Sequence, residues 1–188
     1  MSAPVSVPLD FVPTTPEDMA RALADPMWRL CSGQLYKIMV KDDNGGDEGL
    51  VVPFKPNRAQ RRLLKNLHYR NIILKARQLG FTTLIALFFL DCCLWRANVR
   101  AGIVAQDLAA AETIFRDKVR FAYGQLPQAL QDQMPLAEEN KSELRFAHNN
   151  SSIRVATSMR SGTLQYLHVH EFGEICAKRS EERRVGKE

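Results

Sequence analysis

Apolar and polar positions along the chain fall into blocks whose period changes from one segment to the next. TPEDMARALADP, residues 15–26, opens with Thr15, Pro16 and acidic residues, the signature of a helix N-terminus, and Pro26 ends or interrupts that helix. QLYKIMV, residues 34–40, reads as a strand. KDDNGGDEG is a turn with Gly45 and Gly46 at its tip, and LVVPF returns from it, which predicts a hairpin. PNRAQRRLLKNLH predicts an amphipathic helix with a basic face, and NIILK, residues 71–75, a short apolar strand ending in a loop. TTLIALFFLDCCLW is long enough for a buried helix, and VRAGIVAQ is a buried-strand candidate. Ile114, Phe115, Val119 and Ala122 give LAAAETIFRDKVRFAYGQL a helical spacing. LRFA, HNNS and SIRVAT read as a second hairpin, and LQYLHV as a last strand running into HEFGEI. Strands alternating with helices imply an α/β layered domain with a largely parallel sheet. Residues 1–16 hold four of the nine prolines and read as an extended arm.

Composition narrows this only a little. With 188 residues, 45% of them hydrophobic, the chain can bury a core and is not a disordered tail. A net charge of +5 permits a polyanionic partner without demanding one. The four cysteines form no C-x-x-C pair, so zinc-ligand spacing is missing, and adjacent Cys92 and Cys93 are expected as small core residues in a reducing cytoplasm. MSAPVSVPLD lacks the basic and apolar regions of a signal peptide. The run LIALFFL, broken by Asp91, is too short to span a bilayer.

The last ten residues, RSEERRVGKE, are polar and aperiodic. Their codons can spell a string that resembles a common sequencing adapter, so residues 179–188 are expected to be non-native. The natural protein is then expected to continue beyond Lys178.

The chemistry concentrates in KARQLGFTT, set between an apolar strand candidate and an apolar helix, where a P-loop belongs. Against the pattern G-x-x-x-x-G-K-[ST], Lys75 takes the first glycine's place, Gly80 the second, Phe81 the lysine's and Thr82 the hydroxyl's. Gly80 would let the backbone approach a phosphate. The amides from Gly80 to Thr83 would open a helix N-terminus, a natural anion site. Phe81 cannot supply the cation that the β/γ-phosphates need, whereas Lys75 and Arg77 can.

This segment resembles the variant Walker A of phage terminase large subunits, in which the lysine is often moved to the front of the loop. The resemblance runs from about Asp25 to Ala177. It implies a RecA-like P-loop NTPase of the additional-strand type, with an N-terminal arm and helical/hairpin subdomain over 1–50 and a partial ATPase domain over 51–178. It implies ATP contacts from Gln60 (to adenine), Lys75, Arg77, Gln78, Gly80, Thr82 and Thr83, with Thr82 on the Mg2+ side. YLHVHEFGEI matches the place of Walker B, with His170 for the usual aspartate and Glu171 retained to activate the attacking water. Arg160, in SMRSGTLQY, resembles an arginine finger reaching a neighbouring subunit, and a plain surface arginine stays the alternative. His168 and His170 share one strand face, as packed neutral rings or a metal pair.

The resemblance further implies packaging of double-stranded DNA into a procapsid by a homo-oligomeric ring, expected as a pentamer, on the portal protein. A small terminase subunit would be its partner, the host cytoplasm its place, and no membrane is involved. The strand that would separate the P-loop and Walker B strands is expected after Walker B, so the 188-residue chain alone is expected to be inactive and poorly soluble. A helicase-like ATPase and a non-catalytic nucleotide- or DNA-binding module stay open as alternatives.

Overall fold

The computed structural model describes residues 6–41, 49–74, 79–159 and 162–177. The Gly45–Gly46 tip, Lys75, Arg77, Gln78, Arg160 and the tail 179–188 lie outside the described residues.

Helix α1 spans Pro16–Ala24, and Thr15 caps it by accepting from the Asp18 amide at 3.1 Å. Pro26 does more than end this helix. It is the first residue of a second one, α2 (Pro26–Cys31), where a missing N–H costs nothing. Asp25 serves as its cap, accepting from the Met27 amide at 2.8 Å. The first hairpin pairs β1 (Lys37–Lys41) with β2 (Gly49–Pro53), antiparallel, and straddles residue 50. Helix α3 (Arg58–Lys65) is shorter than its pattern suggested and starts in a capping box made by Asn57 and Gln60.

Helix α4 (Phe81–Trp95) is buried around nearly its whole circumference and is the centre of the main core. It touches α2, β3 (Arg100–Val104) and β6 (Ser152–Ala156). Cys92 and Cys93 are core residues, as their setting predicted; burial pushes both thiols up in pKa, away from thiolate chemistry. The expected helix at 108–126 is α5 (Leu108–Ile114), a π-helical turn (Phe115–Arg120) and α6 (Phe121–Gly124) end to end. Helix α7 (Gln128–Gln133) and strand β4 (Leu136–Glu139) had no counterpart in the sequence reading. Strands β5 (Glu143–Phe146) and β6 make the second hairpin, and β7 (Tyr166–Val169) follows.

The five-stranded sheet has the order β4-β5-β6-β3-β7. Strand β3 is parallel to both β6 and β7, whereas β5 is antiparallel to both of its neighbours, β4 and β6. The expectation of a largely parallel sheet is therefore corrected: this is an α/β fold around a mixed sheet, because hairpin connections reverse the strands on one side. A second correction concerns NIILK. Residues 71–74 are not in a strand, and Ile72 and Leu74 are wholly exposed while Ile73 packs against the core. The alternation of an extended chain is there without a ladder partner among the described residues, and a strand needs both.

One buried ionic group ties the N-terminal helices to the core. Arg29 donates to Asp91 through Nε at 2.8 Å and Nη2 at 2.7 Å, and Nη1 donates to the Leu23 carbonyl at 2.6 Å. Tyr36 donates its hydroxyl to Asp91 at 2.8 Å, and the Trp95 ring lies 4.6 Å from the Arg29 guanidinium. The apparent interruption of the apolar helix by Asp91 is thus a cross-link between segments 62 residues apart.

Candidate functional site

The site is built at the start of α4. Gly80 precedes the helix in a left-handed conformation, φ +68°, and among the described residues no side chain caps the end. The first intrahelical bond runs from the Leu84 amide to the Gly80 carbonyl, so the amides of Phe81, Thr82 and Thr83 have no intrahelical acceptor. Two residues of the α3 capping box hold this turn. Asn57 Nδ2 donates to the Leu79 carbonyl at 3.2 Å, and Gln60 Nε2 donates to the Gly80 carbonyl at 2.8 Å.

Gln60, read from the sequence as the adenine contact, is buried, and both ends of its amide are engaged within the fold. Its Oε1 accepts from the Asn57 amide at 2.8 Å. It thus positions the glycine turn whatever else it meets. A Cβ at Gly80 would stand 2.8 Å from Gln60 Nε2, and positive φ disfavours any L side chain there. Gly80→Ala should therefore lower the unfolding free energy by about 1–2 kcal/mol in a urea titration. A change too small to resolve would mean that the turn relaxes freely.

Phe81, at the place of the P-loop lysine, is a core residue at 8% exposure. It cannot reach a phosphate as a cation would, by chemistry or by direction. Thr82 is half-buried and Thr83 buried. Thr82 Oγ1 lies 3.2 Å from His170 Nδ1, in hydrogen-bond contact across 88 residues of sequence.

That contact joins the helix start to the carboxyl ends of the parallel strands. The His170 amide donates to the Val104 carbonyl at 2.7 Å, and the Ala105 amide to the Ala156 carbonyl at 3.0 Å, extending the β7-β3-β6 ladder by one step. Open α/β sheets bind ligands at this end of their strands. Glu171 follows at φ +49°, a left-handed conformation that a non-glycine residue adopts at a cost and that concentrates at functional sites. Its carboxylate is 3.8 Å from His170 Nε2, and its side chain is 42% exposed against 17% for His170. The His168 and His170 rings are 6.1 Å apart, and among the described residues no group of three or more metal-binding side chains forms.

Sequence reading overlooked Gln106, at the carboxyl end of β3. Its Oε1 is buried without a hydrogen-bond partner among the described residues, the kind of atom that a ligand or water satisfies. The only sequence signal was its place just past a buried strand. A cavity of about 640 Å3 at the π-helical turn, lined by Glu112, Phe115, Arg120 and Lys141, shares no residue with this site. Among the described residues no helix is long and apolar enough to cross a membrane. No protein-family model matches the chain, and a search of curated proteins finds no match.

Proposed function

We propose that the chain is the ATP-binding half of a viral DNA-packaging motor subunit, a RecA-like P-loop ATPase of the additional-strand type. The observation that carries this reading is the 3.2 Å contact between Thr82 at the start of α4 and His170 at the end of β7. A P-loop enzyme needs this juxtaposition: a hydroxyl at an uncapped helix N-terminus next to the strand end that delivers an acidic residue. In this reading the free amides of Phe81, Thr82 and Thr83 face phosphate oxygens, and Lys75 and Arg77 supply the cations that Phe81 cannot. Thr82 and the nucleotide hold Mg2+, which neutralises charge on the phosphate oxygens. Glu171 orients the attacking water, and Arg160 reaches the neighbouring subunit of the ring. Duplex DNA, the portal protein and the small terminase subunit are the partners, and the host cytoplasm is the place.

Glu171→Gln is the test. Glutamine keeps the shape of the side chain and loses its basicity. In a protein extended past residue 178, turnover should fall by about a hundredfold or more, while ATP binding stays at the wild-type level. Retained turnover, or turnover and binding lost together, would remove Glu171 from the mechanism.

A further inference from the structure

From Phe54 to Leu90 the chain has eight Lys or Arg and no Asp or Glu. With 26 basic and 21 acidic residues overall, everything outside this segment is acidic in balance. The fold sets part of this surplus on one surface. Arg58, Arg61, Arg62 and Lys65 stand at i, i+3, i+4 and i+7 on α3, which is a single helix face, and all four are exposed. The opposite face carries Ala59, Leu63 and Leu64 onto the main core, so the basic row is held outward by packing. Among the described residues no carboxylate pairs with any of the four. Like charges at i and i+4 repel, and the helix carries no acidic side chain to offset them.

Just past the helix in sequence, the chain exposes an aromatic ring. Tyr69 is 82% exposed, its ring is 4.5 Å from the His68 ring, and the Arg70 guanidinium stands 5.5 Å from its centroid. Cations that track a phosphate backbone, beside an exposed ring with a cation over it, are what an unpaired nucleic-acid strand recognises. A duplex offers phosphates but keeps its base faces stacked, so it has no use for Tyr69. A membrane surface needs the apolar face of the same helix, and here that face is turned into the core.

We propose that this surface binds a single-stranded nucleic acid, with phosphates along Arg58, Arg61, Arg62 and Lys65 and one base stacked on Tyr69. The inference rests on charge and exposure and does not depend on the nucleotide site. It is tested by fluorescence anisotropy of a protein extended past residue 178 with a labelled oligo-dT of about 20 nucleotides, longer than one such surface needs. Parallel arms use a blunt duplex of equal length and vesicles of phosphatidylserine and phosphatidylcholine.

The oligo-dT should bind, and more weakly as salt rises, with a log–log slope of about −3 for four neutralised phosphates. Arg61→Gln/Arg62→Gln should weaken both nucleic acids by about tenfold or more. Tyr69→Ala should weaken oligo-dT by about tenfold and leave the duplex unchanged. All these side chains are exposed, and matching circular-dichroism melts confirm that the variants are folded. Charge-neutral variants that bind like the wild type would overturn the proposal. So would Tyr69→Ala without a strand-selective effect, or vesicle binding in place of oligonucleotide binding.

Discussion

Asp91→Ala should lower the free energy of unfolding by about 3–5 kcal/mol, the usual cost of leaving a buried charge without its partner. The side chains of Arg29 and Asp91 are only 6% and 4% exposed, so water cannot replace the lost carboxylate. Arg29 would keep its bond to the Leu23 carbonyl and its place over the Trp95 ring, and lose both bonds to Asp91. Tyr36 would lose its acceptor as well. Against a total stability of about 5–15 kcal/mol, that loss brings the chain close to unfolding. Tyr36→Phe, which deletes one hydroxyl and leaves the ion pair, should cost only about 1 kcal/mol. Urea titrations of both variants check the pair, and equal losses would show that the ionic group is not the anchor.

The same group predicts behaviour in alkali. Burial pushes the Tyr36 hydroxyl well above its usual pKa, and the Asp91 charge and hydrogen bond add to this. The neutral phenol is therefore favoured in the folded state. Its contribution is complete below the ordinary tyrosine value of about 10 and is lost as pH rises from there toward the folded value. Stability should fall in that window, and Tyr36→Phe should flatten the fall.

Much of this architecture is written in local pattern. Thr15 and Pro16 announce α1, the Gly-rich turn announces the first hairpin, and the unbroken apolar run marks α4 as a core helix. What escaped has specific causes. Helix α7, QALQDQ, buries no side chain, and most of β4 is exposed, so neither carries a hydrophobic period. The π-helical turn inserts into a helix without altering its apolar spacing enough to be read. Residues 71–74 have a strand's composition, but membership in a sheet depends on a partner that composition does not encode.

For the site, sequence brought Thr82, His170 and Glu171 into one hypothesis, and Thr82 and His170 do meet. Gln60 is more instructive. Asn57 three residues ahead of Gln60 is a capping-box spacing, legible before any ligand is invoked, and the fold uses it so. The bond from Gln60 to the Gly80 carbonyl, 20 residues away, was not legible, because it depends on how α3 packs beside the α4 start.

In the proposed site a nucleotide sits at the start of α4 with its phosphates held by a lysine that precedes the glycine turn. This is tested by equilibrium titration of a fluorescent ATP analogue, with Mg2+, into a protein extended past residue 178 and its Lys75→Ala variant. Lys141→Ala serves as a control for loss of an exposed cation remote from the site. Removing a cation from desolvated phosphates costs about 2–5 kcal/mol, which at 1.4 kcal/mol per decade is on the order of 30-fold to several thousandfold in affinity. Saturable binding is expected for the wild type and for Lys141→Ala, and binding weakened at least about thirtyfold for Lys75→Ala. A wild-type protein that binds no nucleotide, or a Lys75→Ala protein that binds it as the wild type does, would rule out a nucleotide held there by Lys75.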